Sequence, residues 1–348
     1  MLEIDGSQKS GSGTILRLSI ALAAIMKKPL HIIRIREKRV QPGLRPQHLE
    51  AVLTAAKLCN AEVKGAKLGS RELWFTPNEI HGGEVKAEIG TAGSIPMLLL
   101  TVLPICAYAE KPVHLHVKKG GTDVRNAPTI NYLKYVLLPM LARMGLKASL
   151  IIQKYGYYPK GMGEILLDVE PCRNLDSITL DDFGKLRDVK GVSVCTFLAD
   201  RRVAERQAVA ANDRLKAAGL KAEIEIRNDM SNPLQKGSSL VLWAETDKGA
   251  LLGGDAIGEL GKPSETVGRE AAENLLKEIE SEATVDSHLA DMLVPYVALA
   301  KGKSVYLSRL VTEHLDTNIL LTEQILGMKF HVARSQSLCC IETVGLQL

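Results

Sequence analysis

One histidine stands out for what it could do. In VTEHLDTNI, Val311 to Ile319, His314 lies between Glu313 and Asp316 and is followed by Thr317 and Asn318, which could begin a helix. A neutral imidazole, with an ordinary pKa of about 6.5, serves at neutral pH as a general base, a metal ligand or a nucleophile toward phosphorus. An acidic partner would hold one tautomer and stabilise developing positive charge. The candidates are Glu313, Asp316 and Asp291. A capping or solvent-exposed histidine has the same local spacing, so the pattern alone leaves both open.

Two other loops share the character of VTEHLDTN. PGLRPQH (Pro42 to His48) and GTDVRNAPT (Gly121 to Thr129) are polar and each leads into a helix start. Free N–H groups and the helix dipole favour anions there, and phosphates are the usual guests. Arg45, Gln47 and His48 cluster in the first of them, where a guanidinium can grip phosphate oxygens with two bonds. The densest basic run is Lys27, Lys28, Arg34, Arg36, Lys38, Arg39 and Arg45; its alternation with Ile33 and Ile35 also suits a solvated strand face. KSGSGT (Lys9 to Thr14) allows close backbone approach to a ligand or a tight turn. YGYYPKGMGE (Tyr155 to Glu164) sets three aromatics beside Lys160, as a base-stacking site or a hairpin turn would. His114 and His116 alternate on VHLHV and share one strand face, a structural setting.

The elements that carry these loops recur. A Gly/Ser loop, an apolar helix, a strand, a polar loop, a second helix and two strands run from GSGT to RELWFTP. The same order returns from TAGS to GEILLDVEP, with KKPLHI matching EKPVHL at a period of roughly 85 residues. A third copy runs from VDSH to SLCCIETV. Lys185 to Ser281 is surplus to the three copies and contains its own strands and helices, including SETVGREAAENLLKEIES with a Ser/Glu capping box. The expected fold is therefore α/β (α+β). Three helix-on-sheet repeats of βαβαββ type form a large domain, residues 1–184 plus 282–348, and residues 185–281 form a smaller inserted α/β domain. Strands such as HIIRIR have one apolar and one polar face, as when helices cover one side of a sheet.

Bulk properties narrow the class. With 348 residues and 46% hydrophobic content the chain buries a full core. A net charge of +4, from 44 basic and 40 acidic residues, permits a nucleic-acid partner without requiring one. The longest apolar run, SIPMLLLTVLPICAYA, is shorter than the roughly 20 residues of a membrane span and contains two prolines, so a buried helix is expected. MLEIDGSQKSGSG has no secretion-signal pattern, and the six cysteines have no CxxC spacing; buried thiols in a cytoplasmic protein are expected.

Taken in order, EIDGS, ILR, PGLRPQHL, TAGSI, GGTDVRNAPTINYL, GYYPKGMGE, HLADM and EHLDTNI resemble the RNA 3'-terminal phosphate cyclase family over essentially the whole chain. The resemblance implies three repeats with a smaller inserted domain, in a fold related to the enolpyruvyl transferases. It implies an ATP-dependent ligase that converts an RNA 3'-phosphate to a 2',3'-cyclic phosphate, with His314 as the nucleophile that carries AMP. Asp291 would orient the imidazole. His288, Leu289, Ala290, Asp291 and Met292 match the nucleotide-binding segment. His288 and Pro128 would flank the adenine, with Leu100 at a further nucleotide contact. Arg17, Arg39, Arg45, Gln47 and His48 would hold phosphates or RNA.

ATP and Mg²⁺ or Mn²⁺ are the implied cofactors, and RNA with a 3'-phosphate end is the implied partner; a homodimer is left open. The chain departs from the family pattern at Ser10, where a glutamate is usual, at Thr14 and Leu100, where glutamines are usual, and at Met292, which ends HLADM. Without the glutamate the metal ligands are unknown. The alternative function is a catalytically weakened or non-catalytic relative that binds RNA or a ribosome-assembly partner.

Overall fold

The computed structural model describes residues 1–335 and 337–346. Gln336 and the last two positions of the expected large domain lie outside the described residues.

Three four-stranded sheets are wired alike. In the first segment, β1 (Leu2–Asp5), α1 (Gly13–Ile25), β2 (Leu30–Ile33), α2 (Pro46–Cys59), β3 (Glu62–Lys64) and β4 (Leu73–Thr76) follow one another. The strands lie in the order β1-β2-β4-β3, with only the first pair parallel. The second segment has β5 (Gly83–Glu88), α3 (Ile95–Ala107), β6 (Val113–Gly120), a helix in three pieces, β7 (Ala148–Lys154) and β8 (Gly163–Val169). Its order is β5-β6-β8-β7, again with one parallel pair. The three pieces are α4 (Ile130–Tyr132), a π-helical turn over Leu133–Leu137, and α5 (Leu138–Arg143). Pro139 lacks the N–H that an unbroken helix would use here.

The third segment is split. β9 (Leu175–Asp176) and β10 (Thr179–Leu180) come first, and the remainder appears only after residue 286. Between them β11 (Leu186–Thr196), α6 (Val203–Lys216), β12 (Glu223–Asp229), β13 (Gly237–Thr246), β14 (Leu251–Ile257) and α7 (Ser264–Glu280) build a separate sheet, ordered β12-β11-β13-β14. Val189, Leu215, Leu240, Leu242 and Leu275 are among the residues of its own apolar cluster. Gly268 lets α7 close on α6, since a Cβ there would stand 2.1 Å from the Gln207 carbonyl oxygen. The chain then returns through α8 (Ser287–Leu299), β15 (Ala300–Lys301), β16 (Lys303–Ser308), α9 (Glu313–Leu326), β17 (Phe330–Arg334) and β18 (Cys339–Val344). β15 pairs with β9, and the third sheet is ordered β10-β16-β18-β17.

All of α1 except Arg17 is buried, and α3 and α8 are nearly as enclosed. Helices that are apolar around their full circumference belong inside. They contact one another and α9, while the strands alternate buried and exposed residues, as in the BiBiBiB pattern of β8. The helices thus form the interior, and each sheet turns one face to solvent. Among the described residues no helix is long and apolar enough to cross a membrane; the SIPMLLL run is the buried α3.

Several local expectations need correction. The βαβαββ unit has its opening strand in each segment, but none of the stretches singled out in the sequence contains it; β5, GEVKAE, buries only Val85 and Ala87 and so carries little apolar signal. The strand expected over LHIIRIR stops at Ile33, because Arg34 and Arg36 take left-handed backbone conformations (φ 50 and 56) and turn the chain. No capping box opens α7: Pro263 is its N-cap, with no side-chain cap bond. Four cysteines are buried as expected, but Cys172 and Cys340 are half-buried.

Candidate active site

Helix starts converge. One cavity of about 890 Å³ is lined by Gly13 and Thr14 of α1, Gln47 and His48 of α2, Ser94 and Met97 of α3, Pro128 just before α4, His288 and Asp291 of α8, and His314 of α9. Local chemistry sets most of these starts. Ser12, Ser94, Thr129, Asp286 and Thr312 are N-caps whose side chains accept backbone N–H groups of the following turn. α2 differs, with Pro46 in its first turn and no side-chain cap from Arg45. The partial positive charges of six helix ends therefore face one space, together with Arg17, Arg36, Arg39 and Arg125. Asp255 and Asp291 are the acids in the wall.

Burial lowers the Arg17 pKa to about 10, with Asp291 opposing the shift and Arg36 and Arg39 adding to it; it remains a cation at neutral pH. His48 is buried beneath Gly13, and burial followed by Arg17, Arg36 and Arg45 holds its pKa well below the ordinary range, so the ring is neutral. Its Nδ1 is buried with no hydrogen-bond partner.

His314 is in the first turn of α9, which begins at Glu313, earlier than the Thr317 and Asn318 start expected from sequence. Its pKa is lowered by burial first and then by Arg17 and Arg39, against a smaller opposing effect of Glu313. Its Nδ1 lies 3.1 Å from Thr14 Oγ1, which also accepts a hydrogen bond from Arg17 Nη2 at 3.0 Å. None of the three expected acids bonds to the ring among the described residues. Asp316 pairs with Lys9 Nζ at 2.9 Å, and Glu313 is exposed. Asp291 offers its backbone carbonyl to Asn318 Nδ2 at 2.8 Å, and its carboxyl Oδ1 is buried without a partner. Burial pushes the Asp291 pKa up to about 7, with His288 and Arg17 opposing and Asp286 assisting.

The structure brings most of the remaining expected residues to the same cavity. His288, Pro128, Leu100, Met292, Gln47 and Arg39 all line it. The His288 ring is exposed to this space, and its pKa is raised: burial opposes the rise but is outweighed by Asp286, Asp291, Asp255 and Glu278. Leu289 and Ala290 do not line it; both side chains are buried in the apolar core. Arg45 is exposed outside it, and Ser10 is buried outside it, its Oγ 3.0 Å from Ser12 Oγ and its amide donating to Thr317 Oγ1 at 3.3 Å.

YGYYPKGMGE contributes nothing to the cavity. Tyr155 and Tyr157 are buried, Tyr155 accepting from Arg227 at 3.1 Å and Tyr157 lying 3.2 Å from Thr196 Oγ1, so the loop fastens the β11 sheet to the second segment. His114 and His116 pair with Asp168 and Glu164 across β6 and β8, each at 2.7 Å.

Other residues escaped sequence reading. Arg36, for which the alternation of the basic run also suits a solvated strand face, lines the cavity because the strand ends before it. Asp255 and Asn274 come from β14 and α7. Asp255 accepts the Thr129 amide at 2.8 Å, and Asn274 donates to the Asp255 carbonyl at 3.1 Å. Neither had a sequence signal. The basic run did mark Arg36.

Among the described residues no group of three or more His, Cys, Asp or Glu side chains is placed to hold a metal ion. The two cavity carboxylates and the serine at position 10 make no protein cage for Mg²⁺ or Mn²⁺.

Comparison with known proteins agrees with the geometry. Residues 8–332 match the family model described as RNA 3'-terminal phosphate cyclase. The chain belongs to this family. A relative from Pyrobaculum neutrophilum named RNA 3'-terminal phosphate cyclase is 46% identical over 347 residues, 99% of this chain and 99% of its own length. One of the same name from Pyrobaculum aerophilum is 44% identical, covering 99% of this chain and 98% of its own. Another so named, from Pyrococcus furiosus, is 44% identical over 95% of each chain. Family membership thus rests on nearly full-length likeness, with His314 and the helix ends around it set at one cavity.

Proposed function

We propose that this chain is an ATP-dependent RNA 3'-terminal phosphate cyclase with His314 as its nucleophile. The observation that carries the reading is a neutral imidazole at a cavity faced by six helix N-termini and several guanidinium groups. His314 Nε2 attacks the α-phosphorus of ATP; the N–P bond forms and pyrophosphate leaves with the electron pair of the broken P–O bond. An oxygen of the RNA 3'-phosphate then attacks that phosphorus and the N–P electrons return to the ring. The neighbouring 2'-hydroxyl attacks the activated 3'-phosphate, gives up its proton, and AMP departs as the cyclic phosphate closes. Arg17, Arg39, Gln47 and His48 line the phosphate side in this reading, while His288 and Pro128 flank the base.

A divalent cation would enter on the triphosphate's oxygens rather than on a protein cage. We further read the three like-wired sheets as repeats of one unit, residues 185–281 as an inserted domain in a fold related to the enolpyruvyl transferases, and the cytoplasm as the compartment.

The test is incubation with α-labelled ATP and Mg²⁺ or Mn²⁺, without RNA, beside His314→Asn. Acid-labile label on the wild type alone is expected, followed by conversion of an RNA 3'-phosphate to its cyclic form. No label with either metal would overturn the enzyme reading in favour of an RNA- or partner-binding relative.

A further inference from the structure

The sequence offers His314 three carboxylates, and the folded chain gives it a hydroxyl. We propose that Thr14 is the positioning residue that sets the His314 tautomer, accepting the Nδ1 proton so that the Nε2 lone pair faces the cavity. This rests on the nucleophile reading above.

Thr14 Oγ1 has two lone pairs and one proton. Arg17 Nη2, at 3.0 Å, can only donate and occupies one lone pair. The contact to His314 Nδ1 at 3.1 Å then runs one of two ways: the ring donates to the second lone pair, or the hydroxyl donates to the ring. The surroundings of the other nitrogen decide between them. Nε2 has no hydrogen-bond partner among the described residues, and the cavity that His314 lines carries six helix starts with Arg17, Arg36, Arg39 and Arg125, which outnumber its two acids, Asp255 and Asp291. That potential is positive, so a lone pair directed into it is stabilised and an N–H is not. The ring therefore keeps its proton on Nδ1, against Thr14, and Nε2 is free to attack.

A hydroxyl does something here that a carboxylate would not. A carboxylate at Nδ1 favours the imidazolium and would tend to protonate the ring before it reacts. Thr14 holds the tautomer without adding negative charge, and the ring stays neutral beside Arg17 and Arg39. After attack the adenylated ring retains its Nδ1 proton and is cationic, with no anion bonded to it. It is then a good leaving group when the RNA phosphate attacks and the N–P electron pair returns to Nε2. The side chains bearing on this titration are Arg17, Arg39 and His288, which oppose protonation, and Glu313, which favours it. Thr14 is 6% exposed, so water is a poor substitute for it.

The experiment compares the full-length wild type with Thr14→Val, Thr14→Ser and His314→Asn. Nitrogen NMR of protein with ¹⁵N-labelled histidine assigns the His314 signal by its loss in His314→Asn and reads which nitrogen bears the proton. The expected result is Nδ1–H in the wild type and in Thr14→Ser, with a mixed or reversed tautomer in Thr14→Val. Adenylate formation should fall by about tenfold to a hundredfold in Thr14→Val, with little change in the KM for ATP, and recover in Thr14→Ser. A wild-type ring protonated on Nε2, or a folded Thr14→Val with the wild-type rate, would overturn the proposal. If valine does not fold, the wild-type tautomer still decides. Label retained by His314→Asn would instead overturn the nucleophile reading, so the two failures are distinct.

Discussion

Gln47 Oε1 accepts the Ser94 amide at 2.7 Å, so a side chain in the first turn of α2 holds the start of α3 in the next segment. Both residues line the cavity, and the bond fixes two helix ends relative to each other. Ser94 is only 1% exposed, which leaves its amide no easy recourse to water. Gln47→Leu should therefore cost about 1–3 kcal/mol, the penalty of an unsatisfied buried donor. Urea denaturation would measure it, and an unchanged midpoint would show that the bond adds nothing to stability.

Gly13, the first residue of α1, packs over the buried His48. A Cβ there would lie 2.3 Å from His48 Nε2 and 2.9 Å from Arg17 Nη1. Gly13→Ala should displace both side chains, destabilising the fold by about 1–3 kcal/mol through overpacking. Nucleotide binding should weaken alongside. Thermal melts with and without ATP would separate the two effects; a variant matching the wild type in both would show the ring is free to move.

The lowered pKa of His314 has a kinetic consequence. The nucleophile is the neutral ring, so adenylate formation should be level at neutral pH and fall only as pH drops through a value below 6.5. Single-turnover labelling across the pH range would show it. An acidic limb centred above 6.5 would mean that Glu313 outweighs burial and the arginines.

Asp291 should show the opposite shift in stability. Its pKa rises from 3.8 to about 7 on folding, chiefly through burial, so within that window the folded chain holds a proton the unfolded chain has lost. Stability then declines as pH rises through the window. Asp291→Asn cannot ionise and is spared that decline. Its melting temperature should gain on the wild type from pH 3.8 to about 7 and hold its lead above, whereas a constant difference would mean that Asp291 is ionised throughout.

Much of the architecture is legible locally. Ser12, Ser94 and Thr129 lie in polar loops that lead into helices, and each supplies a short side-chain oxygen that satisfies a first free N–H group wherever the chain goes next. The fully apolar α1 and α3 declare an interior, and the surplus between the second and third copies declares extra chain. Weak strands were less legible. β5 buries two residues and β10 spans two, so neither has enough alternation to register, although each is the parallel partner that completes its sheet.

The sequence by itself therefore determined that polar loops lead into helices, which helices are buried, and that His314 lies among phosphate-suited loops. Tertiary structure alone decided what His314 touches. Its partner Thr14 is 300 positions away, and the three acids near it in sequence or in aligned loops have other partners or none in contact with it. It also decided that Asp255 and Asn274, from the sheet and helix built between Leu186 and Glu280, reach the cavity wall. The reason is physical: caps and periodicity act over one turn of chain, whereas a bond between α1 and α9 depends on how buried helices settle against one another, and that is fixed by the packing of apolar side chains that carry no local mark of the contact.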